Sequence, residues 1–225
     1  MKTKYYLFLA LITVLVYSTM LLTSCEREAN DTVIDIDDNT YKTVTIGNQI
    51  WMADNLRTTT YNDGSPITLV EADSEWINLT SGAYCWYKND EATYGSTYGA
   101  LYNWYAVDRF KLCPDGWRVP NDEEWRTFEE YLTNNGHNGT EGLVLKAKDG
   151  WSNAGSGTDY YGFKALPGGE RYSIYEEIGE CGYWWCSTAH TDTYAIFWML
   201  SSNSKILNRF GGSKVCGFSV RCIKN

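Results

Sequence analysis

Seven cysteines are the residues of this chain best placed to do chemistry, and their spacing decides which chemistry. Cys25 stands alone at the end of an apolar run. The others are Cys85, Cys113, Cys181, Cys186, Cys216 and Cys222. An even number in an exported domain points to disulfides and leaves many connectivities open. The competing reading is a metal or redox site with Cys216 and Cys222 as soft ligands. No pair has C-x-x-C spacing and no histidine stands near, so the structural reading is preferred. The two histidines are His137, in an Asn-Gly stretch, and His190, among Ser, Thr and Asp. Both read as solvated loop residues. Ser187, His190 and Asp192 would form a nucleophile–base–acid set only on a strand–elbow–helix frame, which the pattern does not offer. Glu123–Glu124 and Glu176–Glu177 are carboxylate pairs of the glycosidase kind. Helix capping explains the first better, and a solvated loop the second. HExxH, P-loop and paired-glycine dinucleotide motifs are missing. No cofactor, metal or catalytic residue is therefore expected.

Aromatic content is the other chemical resource, with ten Trp and eighteen Tyr. Trp117, Trp125, Trp184 and Trp185 belong to the core by pattern. Trp76, Trp86, Tyr87, Trp151, Tyr160, Tyr172, Tyr175 and Tyr183 lie in or beside loop-like stretches. On an acidic exported scaffold, loop aromatics fit stacking on sugar rings or docking of a protein. Trp151, Tyr160, Trp86 and Tyr87 are the candidate ligand-binding residues.

The elements that must position these residues are clearest around residue 120. Pro114-Asp115-Gly116 reads as a turn. Trp117–Val119 is extended, because the residue before Pro120 is pushed out of the α region. Asn121 then caps a helix over about 122–133, and Glu124 completes a capping box. Asp122, Glu123 and Glu124 put negative charge at the positive end of its dipole. Trp125, Phe128, Tyr131 and Leu132 share a face, and Asn134-Asn135-Gly136 ends the helix. Tyr41–Ile46, Gly47-Asn48 and Gln49–Ala53 read as a hairpin. Residues 61–80 are a polar loop with a short turn of helix, and 88–97 a loop. Tyr98–Asp108 reads as the first helix. Strands are expected near 83–87, 162–166, 183–188, 194–200, 205–210 and 217–223.

The N-terminus is organised differently. Lys2 and Lys4 precede an uncharged stretch, Tyr5 to Leu22, and Leu22-Thr23-Ser24-Cys25 follows. This resembles a bacterial lipoprotein signal cleaved before Cys25, whose thiol then carries the lipid; an uncleaved anchor is the plainer alternative. Several acyl chains would make the attachment stable. Residues 25–40 are acidic and lack aromatics, and read as a flexible tether. Glu26-Arg27-Glu28 loosely resembles surface-export signals of some lipoproteins, and Asp31-Thr32-Val33 an O-glycosylation sequon. Removing residues 1–24 takes two lysines from a net charge of −9, giving −11. Such a surface argues against nucleic acid as a partner.

The domain at 41–225 resembles the Fibrobacter succinogenes major paralogous domain. The matching stretches, in order, are Ile46–Leu56, Ala83–Tyr87, Tyr98–Val107, Leu112–Trp125, Tyr161–Arg171, Trp184–Thr188 and Gly217–Cys222. A more distant similarity, in the Arg-x-Pro turn, Glu-Glu-Trp helix, Gly-Gly strand and Gly-Phe-x-x-Arg strand, is to formylglycine-generating enzymes. Together they imply an α+β, C-type-lectin-like domain with two helices, small twisted antiparallel sheets and long loops. The resemblance also implies a Cys113–Cys222 disulfide. Cys186 and Cys216 depart from the family pattern and are expected to pair with each other. Lectin-type calcium motifs are lacking. The resulting expectation is a lipid-anchored protein of the cell envelope, in the outer membrane, acting as a non-enzymatic binding or adhesion module for glycan or protein. The alternative is a cysteine- and copper-dependent oxidase, which needs a reduced pair near Cys216 and Cys222.

Overall fold

The structure, a computed structural model, describes residues 32–225. The expected signal segment 1–24, lipidation at Cys25 and tether residues 26–31 lie outside the described residues. Three small sheets carry the fold. The first has the order β1–β2–β3–β13–β7, built from β1 (Thr32–Ile34), β2 (Thr40–Ile46), β3 (Gln49–Met52), β7 (Trp117–Arg118) and β13 (Ile223–Lys224). The hairpin forms as read, with Ile46 opposite Gln49 and Gly47 at φ 65°. β1 pairs with β2 from Thr32↔Lys42 to Ile34↔Thr40. Residues 32–40, expected as tether, therefore belong to the folded domain. The last strand slots between β3 and β7, with Ile223 opposite both Trp51 and Arg118.

The second sheet has the order β12–β11–β10–β8–β9, from β8 (Gly168–Arg171), β9 (Tyr175–Ile178), β10 (Cys181–Ala189), β11 (Tyr194–Ser201) and β12 (Asn208–Ser213). β10 separates two cores. Its odd residues Cys181, Tyr183 and Trp185 enter the first, with Tyr41, Tyr102, Trp104 and Phe218. Its even residues Trp184 and Cys186 enter the second, with Trp51, Trp125, Phe128, Phe163 and Trp198. This is the alternation of a strand buried on both faces. The third sheet, β4 (Thr68–Leu69), β5 (Ala83–Cys85) and β6 (Leu101–Tyr102), covers a smaller cluster around Trp76, Cys85 and Tyr87.

Five short α-helices complete the described fold: α1 (Asp73–Trp76), α2 (Glu91–Tyr98), α3 (Trp104–Val107), α4 (Asp122–Leu132) and α5 (Glu141–Leu145). α4 has the predicted capping box: Glu124 N donates to Asn121 Oδ1 at 2.9 Å, and Asn121 N to Glu124 Oε2 at 2.8 Å. Trp125, Phe128 and Leu132 are its buried face. Trp125 stacks on Trp198 at 5.7 Å. Of the helix expected over 98–108 only the short piece Trp104–Val107 forms. Gly99, at φ 76°, ends α2, and its Cβ position would lie 2.6 Å from Leu56 O. Leu101 and Tyr102 then pair with Cys85 and Tyr84, and Asn103 caps α3. The expected loop at 88–97 is instead α2, whose N-cap Asp90 accepts from Thr93 N at 3.0 Å. The segment expected as a strand at 162–166 is irregular, as is most of 217–223. β9 holds Glu176 and Glu177, which were read as loop. Trp117, read as core, is only half-buried.

Five of the seven stretches that carry the resemblance meet at one buried junction. Arg221 is fully buried and donates through Nη2 to Asn55 Oδ1 at 2.8 Å. It also donates to the carbonyls of Phe163 and Lys164, and its guanidinium lies 4.3 Å from the Phe163 ring centre. Trp184 Nε1 donates to the same Asn55 oxygen at 3.0 Å. Asn55 Nδ2 donates to Tyr98 O and Ser219 Oγ. A buried arginine is tolerated when its donors are satisfied this fully. The residues most characteristic of the sequence are thus structural fasteners.

Candidate functional site

A cleft of ≈ 710 Å³ opens between the β1–β2 turn, the loop after β3 and α2. Its volume lies within the roughly 300–1,000 Å³ common for small-molecule sites. Asp37 and Asn39 come from the turn, Arg57 and Thr59 from the loop, and Glu91, Ala92, Gly95 and Ser96 from α2. Trp86, just past β5, forms part of the wall. It is 6% exposed and meets Tyr84 edge-on at 5.7 Å. Gly95 is what leaves the indole room: a Cβ there would stand 3.3 Å from two of its ring carbons.

The polar lining is held in place. Asp37 Oδ2 accepts from Thr59 N at 2.6 Å, Thr58 Oγ1 at 3.0 Å and Thr59 Oγ1 at 3.1 Å. Burial works against this carboxylate, but those donors hold its pKa below the ordinary value. Arg57 lies over the Tyr41 ring at 4.7 Å and donates from Nε to Asn39 Oδ1 and from Nη2 to Thr40 O. Asn39 Nδ2 in turn donates to Asp35 Oδ2 at 3.0 Å. On its turn and loop side the cleft therefore presents preorganised side chains.

The four aromatics singled out from sequence do not form one surface. Trp86 contributes to the cleft wall but is itself a member of the first core, with only an edge of the side chain left uncovered. Tyr87 is buried in the third core, against Tyr94 and Tyr175. Trp151 is also core: it is 6% exposed, donates to Ala165 O at 3.0 Å and packs in the second core. Its loop backbone folds the ring inward, so its role as a ligand contact is withdrawn, as is that of Tyr87. Tyr160 is 71% exposed and stands with Tyr161 and His137 at ring separations of 4.9 and 5.6 Å. Trp76, another loop aromatic by sequence, lies fully buried under Arg171, whose guanidinium is 4.5 Å from its ring. Sequence reading missed Asp37, Asn39, Arg57, Thr59 and Ser96. The first two stood in a presumed tether, and nothing in local pattern marks the others.

The cysteines resolve differently from expectation in one respect. Cys113 and Cys222 form the disulfide, 109 residues apart in sequence. Cys186 and Cys216 do not pair. Both thiols are free and buried, as are Cys85 and Cys181. Cys186 sits in the second core and Cys216 in the first, which is why the pair cannot close. Burial pushes the Cys85, Cys181 and Cys186 thiols up to about 11 and Cys216 up to about 12, the opposite of an activated nucleophile. With Cys222 bonded to Cys113, Cys216 and Cys222 are not the reduced pair that a copper oxidase needs. No hydrogen bond joins the side chains of Ser187, His190 and Asp192. Among the described residues no group of three or more His, Cys, Asp or Glu is placed to hold a metal.

Fold and site define a mixed α+β domain, mostly β, with curled antiparallel sheets and a cleft lined by both polar and apolar groups. Residues 44–224 match the Fibrobacter succinogenes major domain, and the chain belongs to that family. No curated protein and no solved structure matches it. The family is one of unknown function and offers no sign of enzymatic activity.

Proposed function

We propose that this chain is an exported, lipid-anchored cell-envelope protein whose domain is a non-enzymatic binding module for glycan or protein, built on a C-type-lectin-like scaffold. The cleft beside Trp86 carries the reading. It combines a fixed aromatic wall with converging polar groups, the composition of a recognition site. The buried, protonated thiols weigh against cysteine catalysis.

The anchor rests on Leu22-Thr23-Ser24-Cys25 following the apolar run. We assign it to the outer membrane, and Glu26-Arg27-Glu28 supports display at the cell surface. Cys25→Ala should release the protein from membranes or leave it unprocessed; intact-mass data showing residues 1–24 retained in the wild type would refute lipidation. For the domain, a binding screen of glycans and envelope components should return ligands that Ser96→Tyr abolishes. Ser96 is exposed on α2 and lines the cleft, so the added ring fills the cleft without entering the core. Ligands that bind Ser96→Tyr as well as wild type would place recognition elsewhere, with the Tyr160–Tyr161–His137 cluster next to be tested.

A further inference from the structure

We infer that β12 is a docking edge for a second copy of this chain, which pairs with it antiparallel about a two-fold axis at Gly211. The inference is independent of the cleft and of whatever fills it. β12 (Asn208–Ser213) closes one end of the second sheet and is the longest strand at a sheet end among the described residues. Native proteins blunt such edges with a proline, a bulge or an outward lysine, so that no further strand adds. β12 has none of these. Its sequence is Asn-Arg-Phe-Gly-Gly-Ser, and its pairing with β11 runs unbroken from Tyr194↔Ser213 to Met199↔Asn208.

The register says which backbone groups are free. Lys214 N donates to Thr193 O at 2.9 Å. In an antiparallel ladder that bond makes Tyr194↔Ser213 a pair without mutual hydrogen bonds, and alternation fixes the rest. Asn208, Phe210 and Gly212 bond inward to β11. Arg209, Gly211 and Ser213 turn their N–H and C=O groups outward. Of these, Ser213 O accepts from Cys216 N at 2.9 Å, and the others have no backbone partner among the described residues. They form a row of donors and acceptors ready for an added strand.

A second copy matches that row. Antiparallel pairing centred on Gly211 sets Gly211 against its own equivalent and Arg209 against Ser213 of the second copy, so outward donors meet outward acceptors. Phe210 then stands opposite Gly212 of the second copy. Phe210 is 47% exposed, although its ring centre lies 5.8 Å from that of Phe197. Gly212 has no side chain, and the Phe197 ring leans over it: a Cβ there would stand 2.9 Å from Phe197 Cε1. Each exposed Phe210 would thus pack on the aromatic face of the other copy. On the opposite face the two Gly211 residues bring no side chain to the axis. The exposed His190 ring approaches there, 3.4 Å from the position of a Gly211 Cβ.

Charge favours a second copy over a foreign strand. Arg209 is the charged residue of β12. Asp122 holds it, Oδ1 accepting from Nε at 2.6 Å and Oδ2 from Nη2 at 2.9 Å. The strand therefore offers no unpaired charge to select an acidic or a basic peptide, and two copies meet along it without repulsion.

The test is sedimentation velocity on the full-length chain in density-matched detergent, joined to cysteine cross-linking. One strand pair and its phenyl contacts fall short of the roughly 1,000 Å² of a stable interface, so the dimer is weak and reversible. It should be present at about 100 µM protein and gone at about 1 µM. Phe210→Lys should weaken it more than tenfold while a thermal melt confirms folding. Ser213→Pro removes an outward N–H and no bond to β11, and should weaken it comparably; a loose apolar contact would not respond to that change. Across the axis, paired Cα atoms lie about 5.5 Å apart, within disulfide reach. Gly211→Cys should therefore link two copies on mild oxidation. Asn208→Cys should not, because its two equivalents stand about 20 Å apart in this register. A chain that stays monomeric at about 100 µM overturns the inference. So does a dimer that Phe210→Lys and Ser213→Pro leave intact, or one in which Asn208→Cys cross-links as readily as Gly211→Cys.

Discussion

At the scale of single residues, Asn55 does more than any side chain in the cleft to hold the domain together. Its Oδ1 accepts from Arg221 and Trp184, and its Nδ2 donates to Tyr98 O and Ser219 Oγ. Asn55→Ala strands a buried guanidinium and a buried indole N–H at once. It should lower unfolding free energy by about 3 kcal/mol in denaturant titration. Asn203→Ala, at an exposed position, should change it by less than about 0.5 kcal/mol. Comparable loss in both variants would refute the junction's role. Trp151 makes the matching point about burial. Asp149-Gly150 and Ser152-Asn153 announce a loop, and the backbone there is irregular. Neighbours in sequence report backbone conformation, however, and not where a ring turns. Trp151→Ala should cost about 3–5 kcal/mol, as Trp125→Ala should; a wild-type melting midpoint for Trp151→Ala would return that ring to the surface.

Among the elements, legibility followed signal strength. α4 has a cap, an acidic first turn and a clean apolar face, and its bounds emerged as read. The hairpin at Gly47-Asn48 had an equally local cause. α2 was missed because Glu-Ala-Thr-Tyr-Gly-Ser-Thr-Tyr has no apolar stripe, leaving only the Asp90 cap to reveal it. The stretch 98–108 has helical spacing, yet long-range pairing of Leu101–Tyr102 with β5 overrides it, as tertiary context often does. The cleft was legible only through Trp86, since its other walls come together across the fold. Two element-scale tests follow from the parts that were read. Asn121→Ala should destabilise by about 1 kcal/mol through loss of the cap. The Cys113–Cys222 bond ties the turn before α4 to the segment entering β13. Closing so long a loop stabilises by roughly 4–5 kcal/mol in the chain-entropy model. Cys113→Ala with Cys222→Ala should lower the melting temperature far more than Cys186→Ala. Peptide mapping without reduction should recover 113 and 222 linked, and a free thiol at either would rule the bond out.

For the whole molecule, an acidic chain of net charge −9 carries carboxylates shifted in both directions. Glu170 on β8 stands opposite Glu176 of β9. Burial, then Glu177 and Glu176, raises its pKa from 4.5 to about 7. Tyr183 on β10 and Cys216 beyond β12 both feel its charge. In the unfolded chain Glu170 titrates near its ordinary value. Between about pH 4.5 and 7 the folded state therefore holds a proton that the unfolded state has released. Stability must fall as pH rises through that window and is fully present below it. Asp54 and Asp122 act oppositely. Burial opposes their ionisation, but the Lys42 N–H and Lys164 lower the first, and Arg209 and Arg126 the second. Their contribution is present above about 3.8 and lost as pH falls. The expected profile peaks in mild acid, at about pH 4–5, and declines toward neutrality. Glu170→Gln should flatten the limb between pH 5 and 7 and leave the acid limb unchanged. Denaturant unfolding at stepped pH checks both limbs. A wild-type curve level across that range, or a Glu170→Gln curve as steep as wild type, would show that the carboxyl group is solvated and ionised in the folded protein.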